Sequence, residues 1–167
     1  MFLSTPEPLT AAHDVSEFAC GKSMLDHWLK TRALSGQPND LTAVLVVHDS
    51  HRVVGYYSLA PTAVAPSALP RSIGAGLPPD PIPCLLLGQL ATDAAWAGRG
   101  IGTGLLKYAL ERCVTAARFI GGRALVVNAI DAEAAAFWQR RGFFPSKDDR
   151  LILFRSIAVI AESVAAR

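Results

Sequence analysis

Four glycines in eight residues, Ala97-Gly98-Arg99-Gly100-Ile101-Gly102-Thr103-Gly104, separate an almost wholly apolar run from an amphipathic one. Each glycine inside a helix costs about 1 kcal/mol relative to alanine. A helix that opens on such a cluster must need bare backbone there. The physical use of consecutive N–H groups at a helix start is to cradle an anion, because the helix dipole and the missing side chains let phosphate oxygens approach. Two better known phosphate motifs do not fit. GxxxxGK[ST] has no match, since Lys107 follows two leucines. GxGxxG fails in both registers, with Thr103 or Leu105 where the last glycine belongs.

The surrounding pattern is that of a mixed α/β chain. Leu25, Trp28, Leu29 and Ala33 recur at helical spacing, predicting a helix over about Cys20 to Leu34, which SGQPND (35–40) ends. LTAVLVVH and RVVGYYSLA, joined by the polar DSH, predict an antiparallel hairpin. CLLLGQLAT (84–92) is too apolar for a half-exposed strand and reads as a central one. A helix over about 101–118 presents Leu105, Ala109, Cys113 and Ala116 on one face. GRALVVNA (122–129) is a second buried strand, Asp131 caps a helix running to Arg141, and GFF with LILFRSIAV gives closing strands. Residues 61–83, with seven of the eleven prolines and only Arg71 and Asp80 charged, read as a long loop.

Composition narrows the classes. A chain of 167 residues, 51% apolar with a net charge of +2, is neither disordered nor a histone-like polycation. Cys20, Cys84 and Cys113 lie far apart with no CxxC, so no metal site or secreted disulfide framework is expected, and a reducing cytoplasm is. MFLSTPEPLT lacks the basic and apolar regions of a signal peptide, and prolines interrupt the longest uncharged stretch, so no membrane helix is expected. His48 and His51 flank the hairpin turn and read as solvated. Charge is uneven: residues 1–98 sum to −3 and residues 99–155 to +5, which is either a set of solvated helix faces or a docking surface for an anionic partner.

A strand, a turn and x-x-G-x-G opening a long helix resemble the pyrophosphate loop of the GNAT N-acetyltransferases. GGRALVVNAIDAEAAAFWQRRGFFPS is similar to that family's second cofactor strand, helix and FYxxxGF segment. FACGKSMLDHWLKTRAL, VVGYYSLA and LLGQLATD, in that order, resemble the acetyltransferase toxins of toxin–antitoxin modules, the TacT/AtaT-like group. The resemblance implies one N-acetyltransferase domain over 1–167, with a cofactor core at about 84–145 and a mixed, mostly antiparallel sheet with a splayed parallel strand pair and helices on both faces. It implies acetyl-CoA as cofactor, aminoacyl-tRNA as acceptor through its α-amine, a ribbon-helix-helix antitoxin as partner, and a homodimer. Residues 156–167 would form a dimer segment or a tail.

Residue by residue, the resemblance places the diphosphate on the backbone of Ala97, Gly98, Arg99, Gly100, Ile101, Gly102, Thr103 and Gly104. Ala97 stands where the family usually has Gln or Arg, and Arg99 would supply that charge. Backbone groups of Leu90, Ala91 and Thr92 would bond the pantetheine arm and polarise the thioester carbonyl. Asn128 would offer an amide to that arm, or be an ordinary strand-end residue. Asp93 is the nearest carboxylate base, or a cap. One of Tyr56 and Tyr57 would face the cleft. Lys22, Lys30, Arg32, Arg71, Arg140, Arg141, Lys147 and Arg150 would meet tRNA phosphates.

Trp138 occupies the position of the tyrosine thought to protonate the departing thiolate, and an indole N–H is no acid near neutrality. Three routes stay open: departure with only water or hydrogen-bond help, a substitute hydroxyl from Tyr108 or Ser146, or a slow enzyme whose binding role dominates. An α-amine, with a pKa of about 7.7–8.0, needs less of a base than a lysine ε-amine at about 10.4. A small-molecule or protein-lysine acetyltransferase, and a weakly catalytic acyl-CoA-binding partner of an antitoxin, remain the alternatives.

Overall fold

A computed structural model describes residues 3–36 and 42–166. In chain order the elements are β1 (Glu7–Pro8), α1 (Ser23–Trp28), a π-helical segment (Leu29–Ala33) and α2 (Leu34–Gly36). The hairpin strands β2 (Ala43–Asp49) and β3 (Arg52–Val64) follow, then a 3-10 turn (Pro66–Ala68), α3 (Arg71–Gly74) and β4 (Ile82–Thr92). A second 3-10 turn (Ala94–Trp96) leads to α4 (Ile101–Ile120), β5 (Ala124–Asn128), α5 (Ala132–Gln139), β6 (Phe144–Pro145), β7 (Ile152–Ser156) and α6 (Ile157–Ala165). The strands hydrogen-bond in the order β1-β2-β3-β4-β5-β7-β6, and β4–β5 is the parallel pair. This is the expected mixed α/β class. Among the described residues no helix is long and apolar enough to cross a membrane.

Two compact units share β4 and α4 along the chain. The first comprises Met1–Ala60 and Gly88–Ala109. Its hairpin pairs Val46 with Tyr56 and Val47 with Gly55, so alternate residues face opposite sides. Val44, Val46, Val53 and Tyr56 pack with Phe18, Leu29, Ala33 and Ala91 in one apolar cluster beneath the α1–α2 run. Val47 and Gly55 face the other way, toward Ile101 and Leu105 of α4. Both faces are covered, which is why β2 and β3 read as continuous apolar runs.

The first helix lies where its periodicity puts it, but its middle is π-helical, so Leu29 and Ala33 stay buried while Lys30, Thr31 and Arg32 are exposed. Of the punctuating SGQPND segment, Ser35 and Gly36 belong to α2, and residues 37–40 lie outside the described residues.

The second unit comprises Pro61–Leu87 and Leu110–Arg167. Leu69, Ile73, Ile82, Cys84, Ala124, Val126 and Phe154 form its cluster. The parallel register runs Leu85–Leu125, Leu86–Val126 and Leu87–Val127, and β7 pairs antiparallel on the other side of β5.

Residues 61–83 are not one long loop. β3 extends to Val64, Pro66 opens a 3-10 turn, and the Pro70 carbonyl accepts the Ile73 and Gly74 N–H groups, both at 2.9 Å, to start α3. Pro66 and Pro70 fit here because they stand at helix starts, where a missing N–H costs nothing. Arg123 fastens the segment, donating from Nε and a terminal nitrogen to the Ile73 carbonyl at 3.1 and 3.0 Å.

The closing strand is shorter than LILFRSIAV suggested. Ser156 accepts the Val159 N–H at 3.4 Å and turns the chain into α6, whose Ile157 and Ile160 are buried within this unit. The apolar composition of 157–165 therefore has an intrachain use.

Candidate functional site

Asp93 ends β4 and fixes the entry to the glycine segment. Its N–H donates to the Val54 carbonyl at 2.8 Å, one carboxylate oxygen accepts the Ala95 N–H at 2.9 Å, and the other accepts the Ala19 N–H at 3.2 Å. Each oxygen thus accepts a backbone N–H in a residue only 3% exposed, so Asp93 serves as a cap and is too buried to meet a substrate amine as a base. Trp96, also buried, lies under the guanidinium of Arg99, whose central carbon is 4.7 Å from the ring centroid.

Gly98 and Gly100 have φ of +78° and +80°, in the left-handed region that side chains resist. The Gly104 N–H donates to the Gly100 carbonyl at 3.0 Å and closes the first helical turn. The N–H groups of Ile101, Gly102 and Thr103 precede it and have no acceptor within the helix. A Cβ at Gly98, Gly100 or Gly104 would meet nothing within 4 Å, and one at Gly102 would lie 3.4 Å from Thr92 Oγ1. The cluster therefore leaves its backbone donors uncovered by side chains, with Gly102 against Thr92 at the end of β4, at the start of a 20-residue helix. An anionic diphosphate fits it without displacing any side chain.

The other site residues of this unit fall as follows. Leu90 and Thr92 are half-buried and Ala91 is buried, at the end of β4. Tyr108 is 43% exposed and lines a cavity of about 210 Å³ with Leu3, Ser4, Val47 and Gly104. None of Leu90, Ala91 and Thr92 borders that cavity. Lys22, Lys30 and Arg32 are exposed on the α1–α2 run, while Asp26 turns inward to accept the Cys20 N–H at 2.8 Å.

Tyr56 and Tyr57 are both fully buried, so neither lines an open cleft. The Tyr56 hydroxyl donates to the Leu25 carbonyl at 2.7 Å, and its ring stacks on Trp28. Burial pushes its pKa far up.

In the second unit, Asn128 is exposed at the end of β5. Trp138 is 8% exposed, with edge contacts to Phe137 at 5.0 Å and Phe143 at 5.1 Å, the setting of a packed core ring. Ser146 is buried, and its hydroxyl donates to the Ala68 carbonyl at 2.8 Å, which leaves it a structural latch rather than a spare acid. Arg141 donates to the Phe137 carbonyl at 3.0 Å and lies 3.5 Å above the Phe137 ring. Burial and then Arg140 lower its pKa, and its charge is spent on the C-terminus of α5. Arg71, Arg140, Lys147 and Arg150 are exposed.

Burial holds the Cys20 thiol at about 11, helped by Asp26, and the Cys113 thiol at about 12, with Cys84 also raised. Protonated thiols are poor nucleophiles, so these cysteines do not suit a covalent acyl-enzyme step.

His48 departs from its expected solvated role. Its Nε2 and that of His13 reach one oxygen of Glu7 at 2.6 and 2.9 Å, and its ring stacks on His51. Among the described residues these three form the one grouping of metal-ligating types. However, Nδ1 of His13 accepts the Thr10 N–H at 2.9 Å and Nδ1 of His48 accepts the His51 N–H at 3.2 Å. With Nδ1 accepting a backbone N–H, each ring donates through Nε2 to Glu7, which makes the trio a hydrogen-bonded clamp of β1 on β2. Nothing in the sequence spacing of 7, 13 and 48 signals it.

Comparison with known proteins agrees with this geometry. The model of the GNAT acetyltransferase domain matches residues 40–145. A Mycobacterium tuberculosis protein named tRNA-acetylating toxin is 40% identical over 150 residues, covering 90% of both chains. The structure of AtaT complexed with acetyl-methionyl-tRNAfMet superposes with a TM-score of 0.87 at 28% identity, over 97% of this chain and 99% of that one. A mutant of AtaT bound to the C-terminus of the antitoxin AtaR and to acetyl-CoA gives 0.81 at 27% identity, over 96% and 97%. A glycine cradle at the head of a helix, a parallel strand pair and a family match over most of the chain lead to one assignment: the chain belongs to the GNAT acetyltransferase family.

Proposed function

We propose that the protein is a toxin-like N-acetyltransferase that moves acetyl from acetyl-CoA to the α-amino group of aminoacyl-tRNA and so blocks translation in the cytoplasm. A ribbon-helix-helix antitoxin would neutralise it, and it would act as a homodimer. The observation that carries the reading is the open cradle made by the left-handed Gly98 and Gly100 and the helix-start N–H groups of Ile101, Gly102 and Thr103, which have no acceptor within the helix. The names of its relatives, a tRNA-acetylating toxin and AtaT with acetyl-methionyl-tRNA, support the acceptor.

When bound, acetyl-CoA supplies the acyl group as an activated thioester. The backbone of Gly98 to Thr103 would hold its diphosphate, and Arg99, steadied on Trp96, would add the positive charge that Ala97 lacks. Backbone groups of Leu90, Ala91 and Thr92 would bind the arm and polarise the carbonyl, and Asn128 would donate an amide to it.

Asp93 is too buried to serve as a base, so the acceptor must arrive with an appreciable neutral fraction. An α-amine does, at a pKa of about 7.7–8.0, where a lysine at about 10.4 does not. Trp138 is packed, Ser146 is latched, and Tyr108 lines a cavity that Leu90, Ala91 and Thr92 do not border. This favours thiolate departure with water or hydrogen-bond help alone. Exposed Lys22, Lys30, Arg32, Arg71, Arg140, Lys147 and Arg150 would position phosphates, while Arg141 serves its own helix.

Labelled acetyl-CoA, incubated with the protein and either charged or deacylated total tRNA, tests this. Label is expected on charged tRNA only; label on polyamines or lysine peptides in preference to tRNA would overturn it.

A further inference from the structure

A buried hydroxyl and a half-buried amide form a pair that neither the sequence reading nor the acyl-transfer scheme uses. Ser58 of β3, 2% exposed, donates to Gln89 Oε1 at 2.7 Å and accepts the Gln89 backbone N–H at 3.0 Å. The pairing settles which way the amide faces. A hydroxyl cut off from water needs an acceptor for its proton, and Oε1 provides it, so Nε2 points away from Ser58. Gly88 makes room for the pair, since a Cβ there would lie 2.8 Å from Ser58 Oγ. Among the described residues, the Nε2 amino group has no hydrogen-bond partner, yet it is not among the buried unpaired atoms. It is a fixed donor that solvent, or a ligand, can reach.

Its place in the fold says what it faces. Gln89 and Ala91 alternate onto one side of β4, and Ser58 and Tyr56 onto one side of β3. Ala91 and Tyr56 belong to the cluster beneath the α1–α2 run. Gln89 therefore lies on the sheet face that carries Lys22, Lys30 and Arg32, and it directly precedes Leu90–Thr92.

We propose that Gln89, held by Ser58, is a substrate-binding residue that donates a hydrogen bond to the carbonyl oxygen beside the acceptor's α-amine. This rests on the aminoacyl-ester reading above. A protonated amine gains nothing from a second donor, whereas an ester carbonyl does. A lysine side chain has no carbonyl next to its amine, so the same amide selects α-amino esters over ε-amines. Ser58 is the positioning residue, because without it the amide turns freely.

The test measures kcat and KM on total charged tRNA for the wild type, Gln89→Met, Gln89→Glu and Ser58→Ala, with acetyl-CoA affinity by calorimetry and a thermal melt as controls. Gln89→Met keeps the length and loses the donor. Gln89→Glu keeps the bond from Ser58 and turns a carboxylate oxygen toward the carbonyl. Loss of one donor to a carbonyl should lower kcat/KM about 10- to 100-fold, mainly through KM, with acetyl-CoA affinity within about twofold. Ser58→Ala should fall between the wild type and Gln89→Met. A Gln89→Met enzyme within twofold of an active wild type on charged tRNA overturns this inference and leaves the acceptor assignment standing. A wild type inactive on charged tRNA overturns both. Should Gln89→Met melt early, Gln89→Glu with a native melt decides, since unchanged activity there is equally fatal.

Discussion

Gly55 of β3 lies directly against Leu105 of α4: a Cβ at position 55 would approach Leu105 Cδ1 to 2.8 Å, Val47 Cγ2 to 3.1 Å and Ile101 Cγ2 to 3.2 Å. The absent side chain lets the first turns of α4, which carry the glycine cradle, settle on the sheet. Gly55→Val should crowd Ile101 and Leu105, cost about 1–3 kcal/mol in urea unfolding, and weaken acetyl-CoA binding. An unfolding midpoint and affinity both equal to wild type would show that the close approach does not set the cradle's position.

Glu7 accepts hydrogen bonds first from His13 and then from His48, and these hold its carboxyl below the ordinary carboxylate range. The folded pKa is lower than the unfolded one, so the contribution is fully present above the unfolded value and disappears as pH falls through the folded one. Urea unfolding of the wild type and Glu7→Gln between pH 7 and pH 3 should show a stability gap that closes with acidification below the usual carboxylate range. A gap that stays constant across that window would contradict the clamp.

Trp138 packs edge-on between Phe137 and Phe143, and no step of the proposed reaction uses its N–H as an acid. Trp138→Phe should therefore destabilise the protein by about 1–3 kcal/mol while kcat stays within about threefold of wild type. A hundredfold fall in kcat with a native melt would return the indole to the chemistry. A faster Trp138→Tyr enzyme would show that proton delivery to the thiolate limits the natural rate.

Much of this was legible in the chain because it is local. The glycine cluster, the apolar strand before it and the amphipathic helix after it are adjacent, and spacing alone exposes them. Asp131 was readable as a cap for the same reason, and it accepts the Ala134 N–H at 2.8 Å. Ser156 carried a similar cap signal inside LILFRSIAV, but a uniformly apolar run has no alternation to mark where strand becomes helix. The ordering of residues 61–83 depends on Arg123 reaching the Ile73 carbonyl, fifty residues away in sequence. Ser58 and Gln89, or Glu7 and His48, meet only through strand pairing, and neither pair leaves a periodic trace.

Apart from the acceptor's identity, the proposed reaction depends on main-chain amides from Gly98 to Thr103 holding the coenzyme's diphosphate. Titration calorimetry of acetyl-CoA into protein stripped of carried-over ligand measures that most directly, with Gly100→Val as the paired variant. At Gly100, φ is +80°, so a β-branched side chain both strains the turn and fills the open cradle. Saturable heat is expected for the wild type and an affinity at least about tenfold weaker for the variant, corresponding to about 1.4 kcal/mol. No heat from the wild type at millimolar acetyl-CoA, or equal affinities for the two proteins, would contradict that dependence.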